Sequence, residues 1–334
     1  MIDIVGKRGW YFLISALIIL PGLISLIVPP GWASLESGLN PGIDFTSGSV
    51  LQVSFRSPVT EQQIKERMDQ LGHSEALIQK IGSRSFFIRT KLLEEPVGDL
   101  PSERELVERD LEDFLTLERD KVKFDSVSPI VAGETVINAF FAVLAASVFI
   151  LLFIWYAFRR VPKSYRYGVA AILALVHDVA IVIGVFSILG KTLDMEVNSM
   201  FIVGVLIVAG YSVNDTIVVF DRIRENTIRF PDRPLASLVN TSIMDTVGRS
   251  LNTSFTTMFV LLALLLMGGP SIRELLLVVA IGVVAGTYSS IFIASQFIVI
   301  WDRGELGRLV GRGRRATSAT AVILMSIFMG SWGR

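Results

Sequence analysis

Cysteine is absent from the 334 residues. That excludes disulfides, thiol catalysis and Cys-ligated metals, and is compatible with an oxidising envelope compartment. Histidine occurs only as His73 and His177, too thinly spread for a His-rich metal site. Charge of one sign is lacking as well. Lys and Arg number 31 against 31 Asp and Glu, a formal net charge of zero that gives no basis for a nucleic-acid partner. What the chain has in quantity is apolar surface: 51% hydrophobic residues and a mean hydropathy of +0.58, which argue against a soluble globular domain.

Six apolar runs approach or exceed the ~18 residues that cross a hydrocarbon core. They are Trp10–Val28, Val136–Phe158, Tyr167–Leu189, Asn198–Phe220, Leu251–Met267 and Leu275–Trp301. The first is too long, and too bare of a small-residue cleavage site, for a removed signal peptide, although it suits an uncleaved one. Basic residues set the orientation. Lys7 and Arg8 precede the first span; Arg159, Arg160, Lys163 and Arg166 follow the second; Arg222, Arg224, Arg229 and Arg233 follow the fourth; Arg303, Arg308, Arg312, Arg314 and Arg315 follow the sixth. The short loops on the other side hold only Lys191 and Arg273. The positive-inside rule therefore puts both termini in the cytoplasm.

The segment between the first two spans is then extracytoplasmic, and its periodicity changes. Strands are expected at Ser49–Phe55, Ala76–Ile81, Ser85–Lys91 and Lys121–Val127, with helices at Thr60–Leu71 and Ser102–Leu117. The order β-α-β-β-α-β is that of a ferredoxin-like unit. His73, beside Gly72, reads as a surface turn residue, and no clustered His, Glu or Asp set suits hydrolysis. The expected organisation is a cytoplasmic N-terminus (1–9), transmembrane helix 1 (10–28), an extracytoplasmic ferredoxin-like α+β domain (29–134), transmembrane helices 2–6 (135–301) and a basic cytoplasmic tail (302–334). The chain is thus an α-helical polytopic membrane protein with six transmembrane helices.

The fourth span reads NSMFIVGVLIVAGYSVNDTIVVF from Asn198, and Asp215 lies five residues before its end at Phe220. A carboxylate at that depth costs about 2.5–3.5 kcal/mol, so such residues face protein or water and serve ions, protons or a partner charge. Ser212 shares its helical face at i−3, and Asn214 adjoins it. Asp221 and Arg222 follow the apolar run and read as an interfacial anchor or helix-end ion pair, with a part in transport as the alternative. The fifth span opens Thr246-Val-Gly-Arg-Ser-Leu-Asn-Thr-Ser-Phe-Thr-Thr257. Arg249 begins it as Asp215 ends the antiparallel fourth, so the two are expected at similar depth, within reach of a long Arg side chain. Thr253 and Thr256 or Thr257 continue the Arg249 face as a hydroxyl stripe that could wall a hydrated path or simply bond its own backbone. His177-Asp178 in the third span could relay protons or could be a buried helix–helix hydrogen bond.

Three segments carry a resemblance. Gly42-Ile-Asp-Phe-Thr-Ser-Gly-Ser follows the first span, Tyr211-Ser-Val-Asn-Asp-Thr-Ile-Val-Val-Phe-Asp-Arg-Ile-Arg-Glu-Asn226 closes the fourth, and Gly248-Arg-Ser-Leu-Asn-Thr-Ser-Phe-Thr-Thr257 with Met267-Gly-Gly-Pro marks the fifth. Together they resemble the SecF family, export accessory subunits that work with SecD beside the Sec translocon. The pattern covers roughly residues 5 to 305, with Ser47 where the family usually has a second Gly, Gly248 where Ser is usual and Ser128 where Gly is common. The tail from Arg308, with its apolar run Ala321–Met329, lies outside it.

The resemblance implies membership of the resistance–nodulation–division superfamily, whose working unit has twelve spans. This chain has six, which implies a SecD-like partner carrying the rest, a SecYEG-type translocon and preproteins as further partners, and a place in the cell inner membrane of a prokaryote among its lipids. It implies that Asp215 and Arg249 sit where the halves meet and pass H⁺ or Na⁺, so that the proton motive force or a sodium gradient drives late steps of protein translocation. No cofactor and no enzymatic activity are expected. An exporter of lipids or small hydrophobic molecules would normally join both halves and two large outer domains in one chain. An intramembrane aspartyl protease needs two aspartates sharing a proton, whereas Asp215 follows Ser-Val-Asn and Asp178 adjoins a histidine. A structural subunit would tolerate Asn at position 215.

Overall fold

A computed structural model describes residues 3–27, 38–94, 101–159, 163–193, 195–269 and 272–305. Val28, the domain start at 29, Arg160 and the tail with its run Ala321–Met329 lie outside the described residues. The chain divides into two compact units, one of residues 37–144 and 189–202, the other of residues 1–36, 145–188 and 203–334.

The first unit is built on a four-stranded antiparallel sheet. Its elements are the short helix α2 (Ile43–Thr46), β1 (Gly48–Ser54), α3 (Glu61–Gln70), β2 (Leu77–Lys80), β3 (Ser85–Thr90), α4 (Glu103–Leu115) and β4 (Lys123–Val127), in the β-α-β-β-α-β order the periodicity predicts. The strands lie in the order β2-β3-β1-β4, with Leu51 opposite Ile88 and Phe124. Alternation along β1 and β3 turns Leu51, Val53, Phe86 and Ile88 into a core closed by Ile64 and Met68 of α3 and Val107 and Leu111 of α4. Thr60 opens α3 through a capping box with Gln63, and Ser102 caps α4 by accepting from the Glu105 N–H at 3.2 Å. Arg67 and Asp110 tie the two helices together.

His73 follows α3 in a turn, as expected, but it is not a surface residue. It is 1% exposed, with Nδ1 3.3 Å from Thr90 Oγ1 and Nε2 3.3 Å from Glu103 Oε1. The turn folds its ring inward between β3 and the start of α4, a placement decided by contacts distant in sequence.

Among the described residues, six helices are long and apolar enough to cross a membrane, spanning Val5–Ile27, Pro129–Ala157, Tyr165–Leu193, Ser199–Arg229, Leu235–Met267 and Arg273–Asp302. In chain order they are α1 (Arg8–Ile27), α5 (Pro129–Ala157), α6 (Tyr165–Leu193), α7 (Ser199–Arg229) and α8 (Leu235–Met267). The last span comprises α9 (Arg273–Ser289), a π-helical segment (Ser290–Ala294) and α10 (Ser295–Asp302). Ala170, Ala171 and Ala174 of α6, Val213, Val219, Phe220 and Ile223 of α7, and Ile291, Ala294 and Ile298 of the last span share one core. Small residues bring backbones together, as membrane helices require. A Cβ added at Gly282 would lie 2.0 Å from Val208 Cγ2, so α7 and α9 approach this closely only because that position is bare.

Candidate functional site: a serine-held pair of buried aspartates

Asp215 and Asp178 are both buried in the helical unit, at 8% and 0% exposure. Asp215 projects from α7 between α8 and the last span. Its Oδ1 accepts from Ser250 Oγ at 2.6 Å and its Oδ2 from Ser290 Oγ at 2.7 Å. Asp178 of α6 accepts through Oδ2 from Ser212 at 2.5 Å and from Ser289 at 2.8 Å. Its Oδ1 lies 3.0 Å from His177 Nδ1, and His177 Nε2 lies 3.0 Å from Ser15 Oγ of α1. Ser289 and Ser290 are consecutive, yet each serves a different carboxylate. They stand where α9 passes into the π segment, a local widening often found at functional sites.

The polar contacts continue along the α7–α8 seam. Tyr211 donates to Ser254 at 3.1 Å, Arg222 to Asp245 at 2.8 and 2.9 Å, and Asn226 to Ser242 at 2.8 Å. Successive pairs at 211/254, 215/250, 222/245 and 226/242 fit two antiparallel helices in register.

The expected partnership of Asp215 with Arg249 is not formed in this chain. Arg249 is exposed while its neighbour Ser250 is buried, and among the described residues no ion pair joins it to Asp215. The reason is helical phase: successive residues point about 100° apart, and Ser250 occupies the face turned towards α7. Thr253 and Thr256 lie on the same exposed face as Arg249, and Thr257 is partly exposed. The hydroxyls of Thr253 and Thr257 return to the carbonyls of Arg249 and Thr253, both at 2.9 Å. Thr256 bonds the Asn252 carbonyl at 3.0 Å. Asn214 is exposed too. Asp221 pairs with Arg224 at 2.6 Å, but within α7 and not at its end, because the helix runs on to Arg229. Ser212 and Asp178 are brought together, and His177 joins them.

Sequence reasoning missed Ser250, Ser289, Ser290 and Ser15. A serine doublet within an apolar span was a usable signal, since two adjacent hydroxyls there need partners. Asp44 was missed as well. Its Oδ2 accepts from the Ser199 N–H at 2.7 Å, capping α7, the helix that carries Asp215. Gly42 and Val197 share a backbone bond of 2.7 Å, and Arg89 pairs with Glu196 at 2.7 Å. The segment after the first span is therefore a clamp on the start of α7. At its end Ser47 has φ +63° and ψ 171°, a region adopted almost only by glycine, which explains physically why Gly is usual there.

Residues 107–304 match the family model for protein export membrane protein SecD/SecF, C-terminal, and residues 32–59 match the SecD/SecF GG motif. The protein translocase subunit SecF of Thermobaculum terrenum is 39% identical over 325 residues, covering 96% of this chain and 100% of that relative. SecF of Anaerolinea thermophila is 36% identical over 322 residues, with 96% and 100% coverage. The crystal structure of SecDF, a translocon-associated membrane protein from Thermus thermophilus, superposes with a TM-score of 0.75 at 33% identity. That match covers 90% of this chain but only 39% of the SecDF chain. SecDF in a super-membrane-facing form gives 0.59 at 31% identity. With the family model spanning more than half its length and curated relatives matched end to end, the chain belongs to the SecF family of multi-pass membrane subunits of the protein translocase.

Proposed function

We propose that this chain is the ion-coupling half of a SecD–SecF unit, using an inward H⁺ or Na⁺ gradient to drive late steps of Sec-dependent export, with both termini in the cytoplasm. The observation that carries the reading is Asp215: a carboxylate inside the bundle whose two oxygens are held only by the hydroxyls of Ser250 and Ser290 among the described residues. Hydroxyl donors hold a carboxylate in place without supplying a counter-charge, which leaves it open to take up a cation.

Arg249 supplies the complement. It is one residue from Ser250 on α8, so a rotation of that helix by about 100° would exchange a neutral hydroxyl for a guanidinium in front of Asp215. A cation held at Asp215 would then be displaced. An exposed Arg with Thr253 and Thr256 on a spanning helix is costly against lipid, and a SecD-like partner covering that face removes the cost. One charge crossing 100 mV releases about 2.3 kcal/mol, enough to bias a two-state movement.

A protease reading draws no support from the geometry, because Asp178 and Asp215 bond separate serines and no hydrogen bond joins them among the described residues. A lipid exporter or a purely structural subunit makes a different prediction for Asp215→Asn. The amide keeps size and can still bond both serines, one of which turns to accept from the amide nitrogen, but it cannot change charge. The variant should fold and join its partner yet lose the gradient-dependent part of export, measured at matched protein levels with and without a proton or sodium gradient. Export equal to wild type under a gradient would make the carboxylate structural and end the ion-coupling reading.

A further inference from the structure

Hydroxyls within helices ordinarily return to a carbonyl one turn back. The spanning helices follow this habit: Thr227 bonds Ile223 at 2.7 Å, Thr246 bonds Ser242 at 2.8 Å and Thr287 bonds Val283 at 2.7 Å. Thr216, directly after Asp215, does not. Its Oγ1 is buried and meets no hydrogen-bond partner among the described residues. The side-chain amide of Gln296 in α10 is left unpartnered as well: the residue is 0% exposed, and neither Oε1 nor Nε2 has a partner among the described residues.

Leaving buried polar groups unsatisfied costs about 1–3 kcal/mol each in proteins. Leucine or valine would fill the same volumes without that cost. Polar atoms kept in such places are ordinarily satisfied by internal water.

Their position along the bundle gives the observation its meaning. Gly204 meets Val278, Gly282 meets Val208, Gly286 meets Ser212 and Asp215 bonds Ser290. These pairs advance together, so α7 and the last span run parallel and in contact. Gln296 is six residues beyond Ser290, about 9 Å further along the axis at a helical rise. It lies towards the end of α7 that carries Arg222, Arg224 and Arg229. α10 packs against α8, whose Ser250 holds Asp215 from the other side.

We propose that Thr216 and Gln296 form a water-binding polar station next to Asp215, through which the ion passes between that carboxylate and the arginine-bearing end of the bundle. The path role rests on the ion-coupling reading of Asp215; the water site itself does not. The ligand class is water, bare or carrying the proton or cation in transit. Thr216 marks the end at the carboxylate and Gln296 the end towards the arginines.

Because the chain has no cysteine, single thiols can be read without background from it. In the complete complex in native membranes, Gln296→Cys and Thr216→Cys should react with a small membrane-permeant methanethiosulfonate about tenfold faster than Val299→Cys, since only a hydrated thiol ionises to the reactive thiolate. Val299 is equally buried, at 1% exposure, but apolar. In parallel, Gln296→Leu and Thr216→Val should assemble with unchanged or higher thermal stability and lose most gradient-dependent export. A merely structural amide would not give this combination of retained stability and lost coupling. Labelling at 296 no faster than at 299 overturns the proposal whatever the export result. Fast labelling with wild-type export by Gln296→Leu overturns it too, by removing the hydrated site from the ion path. Failure of the Asp215 reading is separable: Asp215→Asn would export normally while the labelling contrast between 296 and 299 persisted.

Discussion

Ser290→Ala removes the donor to Asp215 Oδ2 and leaves Ser250 on Oδ1. The cost depends on what Asp215 carries at rest. Hydroxyl bonds between membrane helices average about 0.6 kcal/mol and reach about 1.7, whereas a bond to a charged group is worth about 1.5–3 kcal/mol. Ser290 also reaches its own Thr287 carbonyl at 3.1 Å, so the single variant mixes two effects. A double-mutant cycle separates them, with Ser290→Ala made beside Asp215 and again beside Asp215→Asn. If the resting carboxylate is charged, the substitution should cost about 1–2 kcal/mol more beside aspartate than beside asparagine, roughly a 5- to 30-fold difference in folded-to-unfolded ratio. A neutral resting carboxyl should leave less than about 0.5 kcal/mol between the two backgrounds. The assay is graded denaturation of the purified complex in mild detergent, followed by tryptophan fluorescence. A cost below about 0.5 kcal/mol in both backgrounds would mean that Ser290 does not hold Asp215, and the reasoning built on the serine pair would fail.

Arg249→Ala should leave the stability of the isolated chain within about 0.5 kcal/mol, because its side chain is exposed there. In the complete complex the same change should lower gradient-driven export by about tenfold or more, the worth of a lost charge-assisted bond. Ser47→Gly should stabilise the sheet-bearing unit by about 1 kcal/mol: relief of about 1–3 kcal/mol of backbone strain, less the added freedom of glycine in the unfolded chain. An unchanged midpoint in thermal unfolding would contradict the strain at φ +63°. Gly282→Ala should cost about 1–3 kcal/mol by overpacking against Val208, read as a lowered denaturation midpoint. At Glu75, burial pushes the carboxyl up, but hydrogen bonds from its own backbone, Thr90 and the Lys91 N–H outweigh burial and hold it below the usual carboxylate range. A lowered folded value stabilises above the unfolded value of about 4.3 and is lost as pH falls through the folded value. The Glu75 side chain is 46% exposed, so solvent screening keeps the effect under about 1 kcal/mol. Glu75→Gln should therefore be slightly less stable than wild type at neutral pH, and the difference should vanish as pH falls through the lowered folded value.

The sequence by itself settled what depends on composition and local period. Six long apolar runs become six membrane-length helices because a spanning backbone must bond itself, and a period of two in β1 and β3 places Leu51, Val53, Phe86 and Ile88 in one core. The helix starts near Thr60 and Ser102 were equally local, since a helix start depends only on the next turn of chain. Asp215 stood out unaided, because a carboxylate within a largely apolar run of membrane length is costly wherever the helices go. What holds that carboxylate was decided by tertiary structure. Arg249 and Ser250 are adjacent, both are chemically suited to a carboxylate, and only the rotation of α8 within the bundle turns the serine inward and the arginine out. The same holds for Ser289 and Ser290, which reach two different aspartates from where α9 meets the π segment, and for His73, drawn beneath the surface by Thr90 and Glu103. Helix phase and long-range packing are set by many weak contacts acting together. No single stretch of sequence contains them.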